Sequence, residues 1–278
     1  MAGFNLVGNP YAHNVTSYTS VNVANGCYRM NETKDDLIVS EISETNPLKP
    51  TEGFFVKATD ADASVTFNAQ RGEAIANTSS FRVEINHENK IVDRLIVKDA
   101  EAQPLEKFSL NERRTKVYAQ GENQELAIVP CEGNEQPVSF KAAIDGSYTL
   151  NVFTDNMEFD YLHLIDNLTG EDVDLLAEPT YTFEARTSDY ASRFRLVFLP
   201  KTVTGTEQES FAYCFNGKFV IANEGEATLQ VVDVLGHILS SESINGTCEK
   251  QINAAPGVYM LRLLNGDKIK TQKIVINN

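Results

Sequence analysis

Apolar and polar residues alternate along most of this chain, and a period of two commits a segment to a strand with one face in a core and the other in water. Phe81-Arg82-Val83-Glu84-Ile85 alternates in this way, and His87-Glu88-Asn89-Lys90 supplies a turn before Ile91-Val92-Asp93-Arg94-Leu95-Ile96-Val97. Tyr181-Thr182-Phe183-Glu184-Ala185 and Phe194-Arg195-Leu196-Val197-Phe198 repeat the pattern. Turn dipeptides that favour left-handed backbone punctuate it. Asp145-Gly146 reads as a hairpin turn between an arm bearing Phe140, Ala142 and Ile144 and one bearing Tyr148, Leu150 and Val152. Asn216-Gly217, Asn245-Gly246 and Asn265-Gly266 give three hairpin signals within the last eighty residues. Helical spacing is poor, and the best candidate, Pro104 to Asn111, offers one or two turns at most. The expected fold is all-β and antiparallel: a jelly-roll-like sandwich followed by a small immunoglobulin-like sandwich.

Charge divides the chain. Residues 1–200 hold 17 Lys+Arg against 31 Asp+Glu, while residues 201–278 hold 7 against 8. A surface that acidic disfavours nucleic acid and anionic lipid as partners. The polar stretch Leu199 to Ser210 reads as a linker, so the expected domains are 1–203 and 204–278, with a possible sub-division near residue 75. No apolar run is long enough for a transmembrane helix. Met1-Ala2-Gly3-Phe4-Asn5 has neither the basic nor the apolar region of a secretory leader, which leaves a cytoplasmic chain or a piece of a longer exported one. Cys27, Cys131, Cys214 and Cys248 are widely spaced; buried free thiols are the expectation, with a Cys214–Cys248 pair the alternative.

Chemistry-bearing patterns are sparse. His13, His87, His163 and His237 show no metal-ligand spacing, and no nucleophile elbow, phosphate loop or dinucleotide fingerprint occurs. No catalytic, cofactor or metal residues are therefore nominated. The densest carboxylate run, Asp166 to Asp174, has oxygen ligands enough for Ca²⁺ but lacks the order of an EF-hand loop. The simpler reading is a strand from Tyr161 to Ile165, a tight turn and a return strand with solvated carboxylates. Asp60, Asp62, Asp155 and Asp160 add acidity without a ligand pattern.

Several phrases resemble those of large secreted proteins of Bacteroidales-type bacteria. Gly3 to Tyr11 looks like their "W-N-L-x-G-N-P-[FY]" opening, and Pro50 to Ala58 like the "P-x-x-G-F-F-V" that follows it. Leu162 to Gly170, with Asp174-Leu175-Leu176, is similar to "L-x-D-x-x-T-G-x-x-x-D-L". Tyr181 to Ala185 and Arg193 to Phe198 match its continuation, "Y-x-F-x-A…R-F-x-L-x-F". The last seventy residues resemble the C-terminal sorting domains of type IX secretion substrates, through Val231 to His237, Pro256 to Arg262 and Lys270 to Ile276. His237 stands where that family usually carries Arg or Lys.

The resemblance implies a non-enzymatic C-terminal region of a secreted or surface protein, an accessory or adhesion-type sandwich plus a sorting-like domain. Its sorting-like motif would be Gly236, Gly257, Tyr259 and Lys273. Gly236 would sit where a strand turns, Gly257 would bend the chain into the last hairpin, and Lys268, Lys270 and Lys273 would charge an edge. Its partners would be the secretion or anchoring machinery, or a surface glycan or protein. The rival readings are a carbohydrate-binding module, Ca²⁺-dependent or not and marked by a row of exposed rings, and a glycoside hydrolase with paired carboxylates.

Overall fold

The computed structural model describes residues 3–68, 80–98, 100–131, 133–155, 157–201, 210–215, 217–266 and 268–276. Among them are strands and no helix, so the chain is all-β. It divides into two compact units, Met1–Leu199 and Pro200–Asn278. The first opens with β1 (Gly3–Gly8), β2 (Tyr18–Val21), β3 (Cys27–Met30), β4 (Leu37–Ser40), β5 (Gly53–Ala58) and β6 (Ser64–Phe67). It continues with β7 (Ser80–His87), β8 (Lys90–Lys98), β9 (Leu105–Glu106), β10 (Lys116–Gln120), β11 (Glu125–Pro130) and β12 (Glu135–Lys141). It closes with β13 (Gly146–Asp155), β14 (Phe159–Asp166), β15 (Asp172–Asp174), β16 (Thr180–Ala185) and β17 (Phe194–Pro200). The second holds β18 (Ala212–Phe215), β19 (Lys218–Ile221), β20 (Glu226–Val232), β21 (Ile238–Asn245), β22 (Cys248–Lys250), β23 (Gly257–Asn265) and β24 (Lys268–Ile276).

In the first unit a four-stranded sheet, β1-β5-β3-β4, and the pair β2-β6 accompany a long sheet of order β15-β14-β17-β12-β10-β11-β8-β7-β13-β16, with β9 beside β11. Residues from both halves of the long sheet enclose one core: Phe81 and Leu95 meet Phe140, Tyr148, Phe183 and Phe198. The small sheet is not a separate body. Tyr28, Leu37 and Val39 cluster with Ile96, Leu105 and Ile128. The sub-division considered near residue 75 falls at residues 69–79, outside the described residues.

The turn signals have mixed outcomes. β7 and β8 form the expected antiparallel hairpin, and Glu88 and Asn89, with φ of 50° and 61°, make its turn without a glycine. Asp145-Gly146 is not a hairpin. β12 pairs with β10 and β17, whereas β13 pairs with β7 and β16. The turn passes the chain across the core, where the Phe140 ring meets Tyr148 and Phe183, each at 5.2 Å. Ile144, expected to face inward, is exposed. The ladder is also not wholly antiparallel, since β8 and β11 run parallel. Pro104 to Asn111 forms no helix: Tyr28 donates its hydroxyl to Glu106 O, and Lys107 N donates to Glu125 O, holding the segment extended beside β11.

In the second unit β18-β19-β22 and β21-β20-β23-β24 close on a core of Phe211, Phe219, Ile221, Leu229, Leu261 and Ile274. Asn216-Gly217 and Asn265-Gly266 lie between strands that pair as hairpins, with Asn216 itself outside the described residues. Asn245-Gly246 instead carries the chain from β21, which pairs with β20, to β22, which pairs with β19. The supposed linker begins inside β17, where Leu199 is buried, and its residues 202–209 lie outside the described residues. All four cysteines are free, and β19 separates Cys214 from Cys248.

Candidate functional site

Register brings the nominated residues of the tail to one end of a sheet. Val232 pairs with Met260, and Met260 with Lys273. Beyond this row lie the β20–β21 turn, the first residues of β23 and the last of β24. Gly236 is in the turn with φ of 89°, and a Cβ there would meet nothing within 4 Å. Its backbone angle, not space, calls for glycine. Asp233 closes the turn by accepting hydrogen bonds from Leu235 N (2.9 Å), His237 N (2.8 Å) and the His237 ring (2.9 Å). Those bonds from His237 hold the Asp233 carboxyl below its ordinary value.

Gly257 corrects an expectation. It opens β23 opposite Ile276 with ordinary backbone, and an added Cβ would touch the Tyr259 ring at a comfortable 3.5 Å. No bend requires glycine there. The Tyr259 ring packs on the core, and its hydroxyl donates to Ala255 O at 2.7 Å. Lys268, Lys270 and Lys273 are exposed on β24, which is an edge strand. The same sheet end carries an apolar cover open to solvent: Val234 and Leu235 are 71% and 78% exposed, and Ile238, Leu239, Val258 and Val275 also face out. The opposite end carries a polar depression beside Glu226, Thr228 and Ser243.

In the first unit the residues that carry the resemblance make structural ties. β1 and β5 pair with Val7 opposite Phe54 and Gly8 opposite Gly53. Asn9, 5% exposed, then donates its amide to His13 O, Leu48 O and Lys49 O, which fixes the turn before Pro50. The second pair of phrases meets at Asp166. This carboxylate accepts from Arg193 Nη2 (2.8 Å), Leu168 N (2.9 Å) and Tyr181 OH (3.0 Å). Burial raises its pKa, but the Arg193 and Leu168 bonds win and leave it below the ordinary value. Arg193 lies over the Phe183 ring at 4.6 Å. Among the other carboxylates of the run, Glu171 accepts from the same Tyr181 hydroxyl at 2.7 Å, Asp172 binds His163 at 2.7 Å, and Asp174 accepts from Leu176 N at 2.9 Å. Asp60 accepts from Ala61 N, while the Asp155 side chain is outside the described residues.

The histidines stay apart as well. His13 stacks on Tyr11, His87 on Tyr148 and His163 on Tyr161, and His237 binds Asp233. Exposed Tyr11, Phe153 and Tyr190 stand on different elements.

Sequence reasoning missed a buried ionic network. Asp93, fully buried, binds Lys107 at 2.7 Å and Arg114 at 2.9 Å, and Arg114 also binds Asp36 at 2.9 Å. Lys107 gives its remaining protons to Arg94 O and Val117 O. The signal was present, because Asp93 shares the inward parity of Leu95 and Val97. Burial, outweighing the Asp93 charge, pulls Lys107 down to about 8.

Residues 215–277 match the family model described as "Secretion system C-terminal sorting domain". No curated protein and no solved structure matches the chain. The matched segment contains Gly236, Gly257, Tyr259, Lys273 and the apolar sheet end. It gives the tail the character of a type IX sorting domain, and thereby an exported fate at the surface or in the medium.

Proposed function

We propose that this chain is a non-enzymatic exported protein in which the second unit is the address and the first unit the delivered sandwich. The observation that carries the reading is the coincidence, at one end of a single sheet, of the turn at Gly236, the β23 start at Gly257 and Tyr259, and Lys273 on the β24 edge. Secretion machinery would recognise that end as folded structure, because residues from three strands compose it. The exposed side chains of Leu235 and Val258 supply apolar contacts that the tail's own core does not use. An accessory or adhesion role for the first unit is supported by its all-β framework, in which the residues of the resembling phrases serve as structural ties.

Export from a host with a type IX system tests this. Removing residues 200–278 should leave the first unit folded and stranded in the periplasm. Leu235→Asp combined with Val258→Asp touches only exposed side chains, so tail stability should hold while surface delivery falls about tenfold or more. Undiminished delivery of both variants overturns the reading.

A further inference from the structure

One end of the first unit is built from loops that are tied to one another. Leu110 N and Ser109 Oγ donate to Asp36 at 2.7 and 2.6 Å, joining the loop before β10 to the β3–β4 loop. Ile91 N donates to Glu32 at 3.1 Å, adding the β7–β8 turn. Ala143 N donates to Thr115 Oγ1 at 3.1 Å, Thr187 N to Asp145 at 2.7 Å, and Asn167 N to Arg193 O at 2.7 Å. The β12–β13, β16–β17 and β14–β15 loops thereby join the same assembly. Buried ion pairs anchor it from below, Asp36 with Arg114 and Asp166 with Arg193. Loops held this firmly lose little freedom on binding a partner.

Every segment of this end except the β7–β8 turn presents one large apolar side chain to solvent. Met30, at the end of β3, is 48% exposed, Leu110 59%, Ile144 64%, Leu168 42% and Tyr190 46%. Around them, on residues 31–36, 87–90, 109–115, 142–145, 167–171 and 186–193, seven carboxylates reach solvent against four cations. Apolar anchors inside an acidic rim suit a partner with apolar side chains and a positive charge excess. Four of the five anchors are aliphatic or thioether groups, which fill side-chain pockets and do not stack on sugar rings.

We propose that this loop end is a recognition surface for a cationic polypeptide segment bearing apolar side chains. The inference rests on the first unit being a delivered, non-catalytic sandwich. Its test uses the purified full chain and no secretion host, so a failure of export leaves it untouched. The probe is an array of short amphipathic peptides of equal apolar content, half rich in Lys and Arg and half in Asp and Glu, beside neutral and sulfated glycans. The cationic peptides should be retained, and less so as salt rises. Ile144→Asp with Tyr190→Asp should lower retention about tenfold, while Leu6→Asp, on exposed β1, should not. Equal retention of both peptide sets, retention of glycans alone, or unchanged binding by the Ile144/Tyr190 variant overturns the proposal.

Discussion

Lys107 is where the first unit spends stability most visibly. Its ammonium group meets three acceptors but lies in a site from which water is excluded, and its folded value of about 8 is below the 10.5 of the free side chain. Below pH 8 both folded and unfolded chains hold the proton, and the burial cost is present in full. Between 8 and 10.5 the unfolded chain holds it and the folded one does not, so this residue makes unfolding free energy rise with pH, by roughly 3 kcal/mol in all. Urea titrations across that window should show the rise. They should not show it in Lys107→Met, which also loses about 3–5 kcal/mol because Asp93 and its neighbours lose a buried partner. Had the charge at position 93 been weighed against the inward parity of Leu95 and Val97, the network would have been legible. Its partners would not, because Lys107 and Arg114 reach Asp93, and Asp36 reaches Arg114, from irregular segments on which no periodicity operates.

Among elements, two glycines of the tail make contrasting demands. Gly236→Val forces a branched side chain into left-handed backbone and should cost about 1–2 kcal/mol in the tail's unfolding transition. Gly257→Ala meets neither a forbidden angle nor a close neighbour and should leave that transition within about 0.5 kcal/mol. The strands themselves were written plainly in the period-two alternation of Phe81 to Ile85 and Tyr181 to Ala185, and both became β-strands; Tyr181 to Ala185 keeps the alternation, whereas in β7 the outward-parity Glu84 is buried against Arg94. Their pairing was less plain. Asp145-Gly146 and Asn245-Gly246 have the composition of hairpin turns, yet each passes the chain between strands with other partners. A dipeptide fixes local curvature, whereas the choice of neighbour belongs to the core: Phe140 and Tyr148 pack across it and do not share a ladder. Conversely, Glu88-Asn89 turns a hairpin that carries no glycine signal, because the β7–β8 ladder imposes its twist on the turn. The candidate site was legible in part: Gly236 was placed at its turn for the right reason, and Gly257 for a reason that its backbone does not support.

At the scale of the molecule, each unit has its own buried core, and their charges differ, about −14 for residues 1–200 and −1 for the remainder. Self-repulsion should therefore weigh on the first unit alone. Calorimetry should resolve two unfolding transitions, with high salt raising that of the first unit and leaving that of the tail nearly still; a single transition, or an equal response to salt, would count against two independent cores. The parallel pairing of β8 with β11 has a consequence in time. A parallel neighbour cannot be reached by a tight turn, so Ile96 and Ile128 must find each other across an intervening stretch that includes β9 and β10. Such long-range closure is slow, whereas β18–β19, β20–β21 and β23–β24 are pairs of neighbours in the chain and close quickly. The second unit should therefore reach its folded form sooner than the first once both are made, so that the protein carries a readable label before its contents have set.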